Sequence, residues 1–156
     1  MRRPAALAFA VGLALVAGGC TKDPPRMPRA CTDTSRDGYE RALAAAPGGG
    51  AVRLPGGVAI STCTRRVRSD AELQNLGTVV HGVAEALADR AADGDAAAAL
   101  QLGYLAGAIG AGAERSNGIA AELARRVEST TARVVDGPAE VAAALARGGE
   151  AGRARG

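Results

Sequence analysis

Leu73, Leu76, Val80, Val83 and Leu87 recur at alternating spacings of three and four. That period lays one apolar stripe along a helix, and no other feature of the chain constrains its fold as much. Ser69-Asp70-Ala71-Glu72 stands before the stripe as a capping box, with Glu72 able to reach back to the Ser69 amide. Asp93-Gly94 closes it, Gly94 suiting the left-handed position after a helix C-terminus. A second helix follows from Ala96 to about Arg115, capped by Asp95. A break at Asn117-Gly118 precedes a third, marked by Ile119, Leu123, Val127 and Val134, with Glu122 and Arg126 as an i,i+4 pair. Connections this short predict antiparallel packing. Pro138 fits the first turn of a last short helix ending near Arg147. The Gly-, Ala- and Arg-rich segment 148–156 reads as a flexible tail.

Upstream of the stripe the pattern changes. Asp33 to Ala46 is a short helix candidate, capped by Asp33, Thr34 or Ser35 and ended by Pro47 and the glycines after it. Val52 and Leu54, then Val58, Ile60 and Thr62, alternate with polar or small neighbours on either side of Pro55-Gly56-Gly57, a turn signal. The expectation is a small β-hairpin, marginal without further support. The fold class is therefore mainly α, an antiparallel three-helix core with a short N-terminal helix and a small disulfide-stapled hairpin. The core is built from Ala, Leu, Val and Ile, because the whole chain has 2 Tyr, 1 Phe and no Trp.

The N-terminus is a separate segment. Arg2 and Arg3 precede an uncharged apolar stretch from Ala5 to Ala17, and Val16-Ala17-Gly18-Gly19-Cys20 ends it with small residues before a cysteine. This layout resembles the signal peptide and lipobox of bacterial lipoproteins. The resemblance covers residues 1 to about 22. It implies cleavage before Cys20, a thioether-linked diacylglycerol on its sulfur and an acylated, palmitate-type amine, so that two or more chains hold the protein at the membrane. A signal peptide cut elsewhere is one alternative. A permanent transmembrane helix is another, but the stretch is short of the roughly 20 residues needed to span a bilayer. The organisation that follows is a signal peptide over 1–19, a Pro-rich tether over 20–30, one helical domain over 31–147 and the tail over 148–156. Pro24, Pro25 and Pro28 keep the tether extended, long enough to lift the domain roughly 25–30 Å from the lipid.

Removing residues 1–19 lowers the basic count from 19 to 17 and leaves the acidic count at 16, a net charge of +1. No nucleic-acid partner follows from that balance. With Cys20 taken by lipid in an exported protein, Cys31 and Cys63 remain, and one disulfide is the natural pairing. Two free thiols or a redox pair are the alternatives, though the pair lacks the CxxC spacing of a catalytic dithiol. Residues 30–156 resemble no family.

Three constellations carry candidate chemistry. Ala96 to Ala113 is 18 residues without a charge, long enough to cross a membrane but diluted by Gln101 and four glycines, which favours a buried core helix. Each helical glycine costs about 1 kcal/mol against alanine. Gly103, Gly107 and Gly110 share a face, a helix-packing surface or a face for a partner helix or second copy. His81, the sole histidine, shares a helix face with Glu85 and Asp89 at i, i+4 and i+8. That strip is a weak polar site, because a metal needs more ligands than it offers and no nucleophile motif accompanies it. Arg65, Arg66 and Arg68 form a basic cluster suited to anionic lipid head groups or cell-wall polymers, or to solvent. No cofactor and no metal is expected. The reading is a membrane-tethered interaction or scaffold module, partnered by an envelope protein or by a second copy. The alternatives are a small metal-binding or hydrolytic enzyme using His81, and a carrier of a small apolar ligand. An enzyme requires a cleft where His81 meets a carboxylate from another helix. A carrier requires an enclosed apolar cavity of a few hundred Å³. A scaffold requires an exposed apolar or glycine-lined face.

Overall fold

Helix α4 spans Asp70–Ala92 and begins where the Ser69 hydroxyl accepts from the Glu72 amide at 3.2 Å. The Glu72 carboxylate turns to the Arg68 amide, at 2.7 Å, rather than to the Ser69 amide. Leu76, Val80, Val83 and Leu87 are fully buried along one face. The structure is a computed structural model describing residues 26–46, 50–116 and 118–156. The apolar N-terminal run, Cys20 and the first half of the tether lie outside the described residues.

Gly94 takes φ 98° after α4, a backbone angle that costs a glycine little. Asp95 then accepts from the Ala97 and Ala98 amides and starts α5, Ala96–Ala113. Helix α6 covers Ala121–Val135 and α7 covers Ala139–Arg155. The remaining helices precede α4: α1, Ala30–Asp33; α2, Arg36–Leu43, capped by Ser35; and α3, Ile60–Arg65.

The core is four long helices rather than three. Helices α4 and α6 run one way and α5 and α7 the other, with α5 at the centre against α3, α4, α6 and α7. Helix α5 is long and apolar enough to cross a membrane by length and composition, yet 72% of it is buried inside the fold. The segment expected to be a flexible tail is the second half of α7, with Gly148 and Gly152 buried against α5. Poor helix propensity at those glycines is overridden by close tertiary contact.

No β-hairpin forms among the described residues. Leu54 and Val58 make one isolated antiparallel bridge around a 3₁₀ turn at Pro55–Gly57. The alternation correctly marked buried side chains, since Val52, Leu54 and Ile60 are all inside. Those side chains pin an irregular segment, and the β-branched run from Ile60 becomes helix α3, seated on Gly112 of α5. Cys31 and Cys63 are joined by a disulfide that ties α1 to α3. The buried Tyr39 hydroxyl donates to the Cys31 carbonyl at 2.8 Å, fixing α2 to the same corner. The Tyr104 hydroxyl of α5 accepts from the Val52 amide at 3.1 Å.

Candidate functional site

Helices α5 and α7 approach backbone to backbone. A Cβ on Gly103 would collide with the Leu145 carbonyl and stand 2.8 Å from the Gly149 nitrogen. One on Gly107 would strike the Gly149 carbonyl and stand 2.9 Å from the Arg153 nitrogen. The contact is reciprocal: Gly148 lies on the Leu100 carbonyl and Gly152 on the Tyr104 carbonyl, each allowing no Cβ. Two helices with interleaved glycines come together closely enough for dispersion contacts between their backbones. Gly112 does the same toward α3, where Ser61 and Thr64 occupy the space of a side chain.

Gly110 differs. A Cβ there would meet no heavy atom within 4 Å. It lies on the floor of an open groove of about 390 Å³ between α6 and α7, also lined by Gly103, Gly107 and Gly149. The rim carries Glu114, Glu128, Glu150 and Arg153, and none of the four has an ion-pair partner among the described residues. The glycine face proposed from the sequence is thus divided: Gly103 and Gly107 serve internal packing at their edges, and Gly110 is open.

A second groove, of about 720 Å³, lies between the first halves of α4 and α6. Leu73, Gly77 and Leu123 line it, with Asp70, His81, Glu122 and Arg126 as its ionisable side chains. Its electrostatics are set from α6. The hydrogen bond from Arg126, at 2.9 Å, and then the nearby Arg125 charge hold the Glu122 carboxyl below the usual carboxylate range.

His81 is half exposed and its closest carboxylate is Glu85 on its own helix, 3.9 Å away. Glu85 is engaged elsewhere: it accepts from Arg133 at 2.8 Å and from the Thr130 hydroxyl at 3.1 Å, both on α6. Asp89 lies 3.6 Å from the same guanidinium. The two carboxylates therefore bracket Arg133 and stitch α4 to α6. Among the described residues no group of three His, Cys, Asp or Glu side chains is placed to hold a metal ion.

Sequence reasoning did not find Gly148, Gly152 or Arg133. The glycines repeat at i, i+4 in step with Gly103 and Gly107, and that shared spacing was the available signal. Arg133 had none, because an interhelical ion pair has no fixed sequence offset. No family model, no curated protein and no solved structure matches the chain.

Proposed function

We propose that this chain is an extracytoplasmic lipoprotein, held to a bacterial membrane through Cys20, and that it serves as a non-catalytic interaction module. The observation that carries the interaction is the glycine-floored groove. Gly110 exposes helix backbone beside three unpaired carboxylates and one guanidinium. A partner segment that suits it has small residues facing α5 and basic side chains over Glu114, Glu128 and Glu150, where charge complementarity fixes register. The Cys31–Cys63 bridge fits the oxidising side of a membrane. Among the described residues His81 has no carboxylate from a second helix within ion-pair distance, which favours binding over hydrolysis.

The test is a photo-crosslinking amino acid at position 110, with a control at the exposed Val135. A single protein captured from membranes at position 110 alone, and lost when Glu128 and Glu150 become Lys, supports the module. A crosslink to a second copy makes it a homodimer. Equal labelling from both positions contradicts the groove as a docking site.

A carrier of a small apolar ligand is the second reading: the α4–α6 groove has the size and a Leu73–Leu123 floor, although it is open rather than the enclosed cavity a carrier requires. It predicts saturable quenching of a fluorescent fatty acyl probe that Gly77→Trp abolishes.

A further inference from the structure

The bundle is polarised along its axis. The first turns of α4 and α6 and the last turns of α5 and α7 meet at one end, because Gly77 faces Leu123, Gly112 faces Ser61, and the Ser61 hydroxyl donates to the Gly156 carbonyl. The Cys31–Cys63 bridge brings the entering chain to this same end. The described segments gathered there, 26–33, 53, 60–72, 110–126 and 150–156, hold 11 Arg against 6 Asp and Glu. The segments toward the other end, 34–46, 85–101 and 128–147, hold 5 Arg against 9 Asp and Glu.

The two ends also differ in how their charges are used. Arg36, Arg90 and Arg133 at the acidic end each hold a carboxylate within 4.0 Å. At the basic end Arg125 and Arg126 share Glu122. Arg26, Arg29, Arg65, Arg66, Arg68 and Arg115 have no ion-pair partner among the described residues. The described segments, with 16 Arg against 15 Asp and Glu between the two ends, thus present a concentrated positive surface at one of them.

We propose that this end is a docking surface for anionic phospholipid head groups and sets the orientation of the domain on the membrane. The proposal rests on the lipid anchor at Cys20, and chain length ties the two together. Only six steps separate Cys20 from Arg26, a reach of at most about 20 Å. The tether therefore lets the basic end lie anywhere from the lipid surface to about that distance away, and it leaves room for contact without forcing it. Attraction of the guanidinium groups to an anionic leaflet acts within about one Debye length, near 8 Å at physiological salt. It draws the basic end down, and the acidic end is repelled and faces away. The α5–α6–α7 groove, which extends along the bundle flank, then opens sideways to a partner.

The experiment uses the full chain made from its own N-terminus in a bacterial host and reconstituted into nanodiscs. One set contains phosphatidylcholine alone, the other a phosphatidylglycerol mixture. Phenylglyoxal modification of each arginine is followed by peptide mass spectrometry. Arg26, Arg29 and Arg115 should react about fivefold more slowly on the anionic discs, with the difference lost in high salt, while Arg41 and Arg147 react equally on both. The triple variant Arg29→Gln, Arg66→Gln and Arg115→Gln, whose replaced side chains make no hydrogen bond among the described residues, should remove the protection of Arg26. Equal reactivity on neutral and anionic discs overturns the proposal. So does protection by soluble poly(glycerol phosphate) with none from the discs, which would assign the surface to a cell-wall polymer. The N-terminal mass reads the anchor separately. If Cys20 is unmodified, the anchor fails and flotation with vesicles decides the surface. Binding to phosphatidylglycerol over phosphatidylcholine then supports the surface, and no preference overturns it.

Discussion

The backbone of Gly107 lies against that of Gly149, so that the carbonyl oxygen of Gly149 occupies the place a Gly107 side chain would need. Gly110, three residues on and on the same helix, faces open space. The pair separates internal packing from surface within one turn of α5.

Substitutions at the two positions should therefore have opposite signs. Gly107→Leu should lower stability by more than about 2 kcal/mol, since overpacking alone costs about 1–3 kcal/mol. Gly110→Ala should raise it by about 0.5–1 kcal/mol through helix propensity. Denaturant melts of both variants check this, and destabilisation by Gly110→Ala would show that its face is packed.

Cys31 and Cys63 should label with an alkylating reagent only after reduction. On the chain-entropy account, opening a cross-link with a sequence separation of 32 costs about 3–4 kcal/mol. Hydrogen exchange of the reduced protein should rise first in α1, α2 and the segment before α3. The α4–α6 stripe, which does not depend on the bridge, should respond last.

Tyr39 gives an alkaline prediction. Burial raises its phenol well above the ordinary tyrosine value of 10.0. Because the folded state holds the proton more tightly, its contribution is full below the unfolded value and is lost as pH climbs above it. Melting temperature should fall as pH rises from about 9 to about 11, the range in which an unfolded tyrosine ionises. Tyr39→Phe should flatten that slope while losing the hydrogen bond to the Cys31 carbonyl; an unchanged slope would place the titrating group elsewhere.

His81→Gln should fold and melt like the parent, within about 0.5 kcal/mol, as expected for an exposed side chain. Arg133→Ala should cost more, about 0.5–1 kcal/mol after allowance for its half exposure, because Glu85 and Asp89 lose their common partner. Chemical denaturation of the two variants ranks them. Micromolar zinc binding that His81→Gln removes would restore the metal alternative.

Much of the helical frame was legible in local chemistry. Ser69, Asp95 and Gly94 mark helix ends through short-range bonding and backbone freedom, and the Leu73–Leu87 spacing marks a buried face. What failed was set by distant partners. Val52, Leu54 and Ile60 have strand-like alternation, but among the described residues no neighbouring strand pairs with them, and Ile60 enters a helix resting on Gly112. Gly148 and Gly152 look like helix breakers until the α5 backbone at Leu100, Tyr104 and Ala108 packs against them. His81, Glu85 and Asp89 do share a face, as their spacing required, but Arg133 from α6 claims the carboxylates. The basic end was visible only in part, as Arg65 to Arg68, because its other arginines arrive from separate segments.

The central claim is that this domain works at a membrane surface through an anchor on Cys20. The most direct measurement is the N-terminal mass of the protein extracted from membranes of a bacterial host. The expected result is a chain beginning at Cys20 with a diacylglyceryl thioether and an acylated amine. A chain that begins at any other residue, or at Cys20 without lipid, would contradict it.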